Sequence, residues 1–345
     1  MKINLLMSFL LATFVFSTHS ANAKIRRVGY FGTPITGTDY AALQSAHDAA
    51  NPGDTLLIFP GTYSATFSKR LVVIGYGYYV YGSGANQNVQ VTQGTLSITI
   101  LLKAATDSSI LEGLDGLYLV PQLNSQTILK GISVEYCNFK LGYSTGGTLS
   151  NWQIIKSVYS IFYYNTDYPA LYTFQNILFE NNIISTSNIA FANNSGGTGV
   201  FNNNIFTTTP NFNNGGYSLY NNIFLSTTAP SNIANCIFDY NIAGNNTIPN
   251  ISPNNHNQSN VNLSTLFVGY PAQGTHSNDE RYSLAAGSPA ISAGQGGINC
   301  GIFGGSNPYR LSGIPSIPSF YKLTAPTNMP TTNPYTITFS VRSNN

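Results

Sequence analysis

Charge is what this chain has least of. Only 8% of its 345 residues are Asp, Glu, Lys or Arg, against about a quarter in ordinary soluble domains. Between Glu180 and Asp239 there is no Asp, Glu, Lys, Arg or His at all. Lys and Arg number 14 and Asp and Glu 12, leaving a formal charge of +2. So neutral a surface cannot steer a phosphate backbone, which argues against nucleic acid as a partner. The scarcity does not signal disorder, because disordered chains also lack aromatic and β-branched residues. Here aromatics make up 13%, and such residues favour strands. Solubility must come from the amides and hydroxyls of the many Asn, Ser and Thr residues.

Metal-ligand spacing is missing too. The four His and three Cys form no zinc-type pattern, so neither a metal nor a cofactor is expected. Apart from one N-terminal stretch, no apolar run is long enough to cross a bilayer. That stretch, Leu5 to Phe16, follows Lys2 and ends in Ala21-Asn22-Ala23, the pattern of a secretory signal peptide cleaved after Ala23. It is shorter than the ~20 residues a membrane span needs, and Lys24 rather than Cys follows, which argues against a lipoprotein anchor. The expected location is therefore outside the cell, secreted or at the surface, and the expected state is a monomer.

Three cysteines are an odd number for an exported chain. Cys137 and Cys236 both lie beside an asparagine in a recurring phrase, which puts them at similar places on rungs about 20 Å apart at ~4.8 Å per rung. That is beyond disulfide reach. Both are expected to be buried thiols, with the state of Cys300 open.

What the chain has in place of charge is repetition. Phe179-Glu-Asn181-Asn182-Ile183-Ile184, Phe201-Asn-Asn203-Asn204-Ile205-Phe206 and Tyr220-Asn221-Asn222-Ile223-Phe224 are copies of one phrase, and Ala234-Asn235-Cys236-Ile237-Phe238 is a degenerate fourth. Their 22- and 19-residue spacing (179 to 201, 201 to 220) fits one rung of a solenoid of short parallel strands. Stacked asparagines at one bend, Asn181, Asn203, Asn221 and Asn235, can then hydrogen-bond along the axis as amide ladders do in cross-β stacks. Ahead of the repeat, residues 39–50 place Leu43, Ala46 and Ala49/Ala50 at helical spacing behind a Thr38 or Asp39 cap. This short helix is placed to cover the open first rung. Near the end, residues 306–330 read as an extended Pro/Ser-rich segment. Tyr335, Ile337, Phe339 and Val341 then alternate with polar residues, as in a half-buried strand folding back to cover the solenoid.

Two stretches resemble a known family. Ala42 to Ala50, Gly53-Asp54-Thr55, Pro60-Gly61-Thr62-Tyr63 and Leu71 to Gly77 look like the opening of secreted proteins of the pectin-lyase-like superfamily. Leu266-Phe267, Tyr282-Ser283-Leu284, Gly287 to Gly294 and Gly301 to Gly305 resemble closing rungs in bacterial polysaccharide-related members. The chain departs from the pattern at Ser292 and Asn299-Cys300, where relatives commonly carry acids. The resemblance implies an all-β fold: a right-handed parallel β-helix over residues 24–305, with residues 306–345 as a tail packed on it. No specific activity is matched.

The candidate chemistry is thin. Lyases of this architecture need a Lys or Arg base and usually clustered carboxylates for Ca²⁺, and the uncharged central repeat excludes such a site there. Glycosidases need paired carboxylates. The candidates are Glu135, Asp167, Glu180 and Asp239, with Lys156 as a base, and the loop His276-Ser-Asn-Asp279-Glu280-Arg281; for each, a solvated or turn role is the plainer reading. His47 and His256 have no evident partner. Aromatic faces stack on sugar rings, so Tyr159, Tyr163, Tyr164, Tyr168 and Tyr172, with Phe162, form a carbohydrate-binding candidate, as do Tyr76, Tyr78, Tyr79 and Tyr81; alternation sends about half of them into the core. The function expected is an exported solenoid that binds or is displayed against extracellular polysaccharide without catalysis. Its rivals are a polysaccharide lyase or glycosidase with a site near one end, and an adhesin-like spacer.

Overall fold

The computed structural model describes residues 23–30, 32–78, 95–124, 127–142, 147–161, 173–185, 189–190, 197–244, 247–248, 256–315, 317–324 and 336–342. The chain coils into an all-β parallel solenoid. One face is an 11-stranded sheet running from Asp39–Tyr40 and Ile25–Val28 to Ile237–Asp239, and a second is a 10-stranded sheet running from Gly61–Phe67 to Gln258–Val261. A shorter third face pairs Ile128–Lys130, Thr148–Ser150 and Thr173–Gln175. All pairings in these three sheets are parallel.

Alternation along each strand builds the core. In the first sheet Leu111, Val134, Ile154, Phe179, Phe201, Leu219 and Phe238 stand in register, one per rung, and all are buried. The Phe179 and Phe201 rings stack at 4.8 Å and those of Phe206 and Phe224 at 4.7 Å, close to the ~4.8 Å distance between strands.

The asparagine phrase marks the corner between the first and second sheets, and its two asparagines have different tasks. The first, Asn181, Asn203 or Asn221, turns the chain with φ of 55°, 55° and 59°. This is the left-handed region, which asparagine enters more readily than other residues with a side chain. The second carries the axial ladder. The Nδ2 of Asn182 donates to Oδ1 of Asn204 (3.0 Å), Asn204 to Asn222 (3.0 Å), Asn222 to Asn241 (2.9 Å) and Asn241 to Asn257 (3.0 Å). Each Oδ1 also accepts the backbone N–H of the preceding ladder residue. Towards the N-terminus the ladder continues through Ser157 and Cys137, whose side chains accept from the backbone of the rung before.

The ladder thus runs through Asn182, Asn204 and Asn222, one place beyond the expected Asn181, Asn203 and Asn221. Asn235 belongs to neither column: its Nδ2 donates to the Asn214 carbonyl at an exposed site, and the fourth corner is Tyr240-Asn241. Cys236 leads into a first-sheet strand whereas Cys137 lies in the corner between a first-sheet and a second-sheet strand, so the two are not equivalent. All three cysteines are free and buried. Burial pushes the thiols up, Cys236 to about 11 and Cys300 to about 12.

The helix, Leu43–Ala49, packs on the first strands of both long sheets. It starts at Ala42 with no side-chain cap, because Asp39 instead lies in a strand and binds Arg27 at 2.5 and 2.8 Å. His47 finds partners after all. It stacks on Phe67 at 5.1 Å, its Nε2 accepts from Ser68 N–H, and Nδ1 lies 2.8 Å from Asp48. That pattern assigns the proton to Nδ1.

Coiling stops at Val261, earlier than the closing motifs imply. Residues 263–315 turn back along the outside of the second sheet as a return strap, where Leu266, Phe267, Ala290, Cys300 and Ile302 pack on Ile183, Ile205, Ile223 and Ile242. Over the strands Ile183–Ile184, Ile205–Phe206, Ile223–Phe224 and Ile242–Gly244 the second sheet is therefore buried on both sides. Beyond the strap, Ser319–Thr324 and Thr338–Arg342 pair with each other in an antiparallel hairpin joined to neither long sheet, and Ile337, Phe339 and Val341 are exposed. The expected half-buried strand is thus an exposed one. Among the described residues no helix is long and apolar enough to cross a membrane.

Candidate functional site

The corner column that turns the solenoid also docks the strap. Asn221 Oδ1 accepts Gln295 N–H (2.7 Å), Asn203 Nδ2 donates to the carbonyls of Asn299 and Gly301, and Asn181 Nδ2 donates to those of Ile302 and Gly304. Each step down the strap meets the corner one rung nearer the N-terminus. Gly301 sits at φ 83°, and a Cβ there would lie 2.8 Å from Ile223 Cδ1, so only glycine allows the approach. On the next two rungs the corner residues are Lys156 and Tyr136, with φ of 51° and 50°.

Lys156 lies within reach of four other charges, those of Glu112, Glu135, Glu180 and Arg310. Its side chain is buried at 1% exposure. The ammonium lies 2.8 Å from Tyr136 Oη and also contacts the side-chain amide oxygen of Asn307 on the strap. Burial, with help from the Arg310 charge, pushes its pKa down to about 8 against the pull of Glu135, Glu180 and Glu112. Those three glutamates stand in the outward column of the first sheet just before the corner, Glu112 and Glu135 directly side by side and Glu180 two rungs beyond Glu135. Adjacent like charges repel, and Lys156 offsets part of that. Glu135 also accepts from Ser133 Oγ at 2.6 Å. Arg310 lies over the Tyr136 ring at 5.5 Å.

Of the residues expected to be catalytic, Glu135 and Lys156 do come together, while Asp167 lies outside the described residues. Asp279 is elsewhere and fully buried. It accepts from Tyr309 Oη (3.1 Å), Ser312 N–H (2.7 Å) and Ser277 Oγ (2.7 Å), which makes it a fastener within the strap. In the same loop His276 approaches Glu280 at 3.5 Å and Arg281 lies over the Tyr270 and Tyr282 rings. His256 has a partner too: it binds Asp239 at 2.9 Å and stacks on Tyr240 at 4.3 Å. Among the described residues no three His, Cys, Asp or Glu side chains are grouped to hold a metal ion.

Tyr163, Tyr164, Tyr168 and Tyr172, with Phe162, lie outside the described residues. Tyr159 lies in the strand Val158–Ile161, but its side chain is likewise outside them. Tyr76 and Tyr78 are buried and so offer no ring to a ligand, while Tyr79 and Tyr81 lie outside the described residues. Glu112, Tyr136, Asn307 and Arg310 were not singled out from sequence. The available signal was position, because each corner residue directly follows a first-sheet strand; residue type changes there from Tyr to Lys to Asn and hides the column.

Unlike the strap-covered part of the second sheet, the outer face of the first is open. Its outward residues form two columns in register. One runs Glu112, Glu135, Ile155, Glu180, Asn202, Tyr220, Asp239, and the other Ile110, Ser133, Gln153, Leu178, Val200, Ser218, Ile237, all at least partly exposed. No model of a known protein family, no curated protein and no solved structure matches the chain.

Proposed function

We propose that the chain is an exported, right-handed parallel β-helix whose open first-sheet face binds, or lies against, extracellular polysaccharide without catalysis. The hand follows from the near-universal right-handedness of parallel crossovers. The observation that carries the reading is the composition of the open face from the strand Ile177–Glu180 onward. There Asn202, Tyr220 and Ser218 supply uncharged donors and acceptors, and Leu178, Val200 and Ile237 supply apolar surface, repeated at one rung per step. A surface of amides, hydroxyls and aliphatic groups suits a neutral glycan, whose rings present both hydroxyls and C–H faces. The absence of catalysis rests on Lys156, the base candidate, being roofed by the strap at 1% exposure.

Screening the purified protein against immobilised neutral and uronic polysaccharides tests this. Binding is expected, and Val200→Asp combined with Tyr220→Ala is expected to weaken it at least tenfold. Retention of full affinity by that variant, or no binding to any glycan, would overturn the proposal. One observation favours a second reading, a glycosidase. Glu112 and Glu135 are register partners on adjacent strands, which puts two carboxylates side by side, the pairing retaining glycosidases use. Release of reducing ends that disappears in Glu135→Gln would decide for it.

A further inference from the structure

We propose that Lys156 and Asn307 condense to an isopeptide bond, a side-chain amide that fastens the return strap covalently to the solenoid. The two side chains are in direct contact, Nζ against the carboxamide, across 151 residues of sequence. Lys156 is otherwise held immobile: its Cα is fixed in the corner column, and its Nζ bonds Tyr136 Oη and lies 5.0 Å from the centre of that ring.

Condensation requires an unprotonated amine, and burial with the Arg310 charge supplies it. With its pKa at about 8, about a tenth of the amine is neutral at pH 7, against under a thousandth for an ordinary lysine. The neutral Nζ attacks Cγ of Asn307, forming the Nζ–Cγ bond while the carbonyl π pair moves to Oδ1. One Nζ proton passes through the Tyr136 hydroxyl to Nδ2. The Cγ–Nδ2 bond then breaks, the carbonyl re-forms and ammonia leaves. One amine and one carboxamide give one secondary amide and one ammonia, with no oxidant or metal involved.

The surrounding charges suit each stage. Glu135, Glu180 and Glu112 favour the positive charge on Nζ in the adduct. Arg310, whose Nη1 is buried without a hydrogen-bond partner, brings positive charge over the same Tyr136 ring, suited to the developing Oδ1 anion. Pro308 follows Asn307 and has no backbone N–H, so the competing loss of ammonia, ring closure on the next residue's nitrogen, is blocked.

Intact-mass spectrometry of the denatured full-length protein, with its N-terminus fixed by sequencing, tests the bond together with peptide mapping after cleavage at aromatic residues. A mass lower by one ammonia and a branched peptide joining Lys156 to Asn307 are expected. Asn307→Ala, at an exposed residue, and Lys156→Arg are each expected to restore the unmodified mass. Recovery of Lys156 and Asn307 in two separate, unmodified peptides overturns the proposal, as does an ammonia deficit that persists in Asn307→Ala.

Discussion

Replacing Asn204 tests whether the axial ladder holds the rungs together. Its side chain is fully buried and makes four hydrogen bonds. Nδ2 donates to the Phe179 carbonyl (2.9 Å) and to Asn222 Oδ1 (3.0 Å), while Oδ1 accepts from the backbone N–H (3.0 Å) and Nδ2 (3.0 Å) of Asn182. Asn204→Ala removes all four and leaves the Asn182 N–H without its acceptor inside the core. At about 1 kcal/mol net per bond, with a further 1–3 kcal/mol for a stranded donor, the loss is about 5–7 kcal/mol. Asn204→Asp keeps the shape but sets a carboxylate against two acceptors, so it is expected to cost more at pH 7. The folded state then holds that carboxyl protonated above its unfolded pKa of about 4. More protons are bound folded than unfolded over that interval, so the Asp deficit shrinks as pH falls towards 4. The control is Asn202→Ala, a half-exposed residue two positions earlier on the same rung, whose two side-chain hydrogen bonds, to Glu180 and from Asn221, put its expected cost at about 2 kcal/mol. Urea unfolding followed by far-ultraviolet circular dichroism, compared through midpoints and slopes, reads all three. An Asn204→Ala loss no larger than that of the control would refute the ladder's structural role.

Further consequences can be measured directly. Asn181→Ala removes two bonds to the strap and puts a Cβ-bearing residue at φ 55°, whereas Asn181→Gly removes only the bonds. Limited proteolysis within 263–315 should therefore be faster for both and fastest for Ala. Asp279→Ala strands Ser312 N–H, removes the acceptor of Tyr309 Oη and Ser277 Oγ, and is expected to lower stability by about 2–4 kcal/mol; glycan binding on the first sheet should survive in the folded fraction. In Asn307→Ala, with Lys156 an ordinary amine of depressed pKa, the unfolded state binds more protons between about 8 and 10.5. Stability should rise with pH across that window relative to Asn307→Ala/Lys156→Met, as thermal melts would show. The three cysteines should resist alkylation at neutral pH until the chain unfolds, since burial raises each thiol pKa.

The parallel solenoid was legible in the sequence because the corner imposes a repeated residue type, and the short N-terminal helix because its apolar spacing is helical. Matching by residue type then misaligned the fourth copy. Asn235-Cys236 resembles the phrase, but the rung geometry is kept by Tyr240-Asn241, where only the ladder position holds asparagine. The return strap was not legible. Its glycine- and proline-rich course has no period, because its backbone bonds to corner side chains rather than to a sheet. A signal existed all the same in the apolar pairs Ile183-Ile184, Ile205-Phe206 and Ile223-Phe224: adjacent strand residues face opposite sides, so two apolar neighbours require cover on both. The terminal strand shows the opposite failure. Its alternation implied a buried face, yet it pairs with the neighbouring strand of a hairpin that joins neither long sheet, and Ile337, Phe339 and Val341 are exposed. Around Lys156 the sequence supplied two members, Glu135 and Lys156, while Glu112 and Asn307 join them only through register and through the strap.

Successive ladder asparagines are separated by 22, 18, 19 and 16 residues, yet the amide contact is nearly the same at every step. The ladder counts turns of the coil and is indifferent to the length of chain between them. A deletion from Asn182 to Asn203 would bring Ser157 against Asn204 in the place of Asn182, a joint of the same chemistry. In such a molecule whole turns can be gained or lost between generations while the loops drift freely. The return strap, which meets the corner rung by rung, is the part that must change length in step.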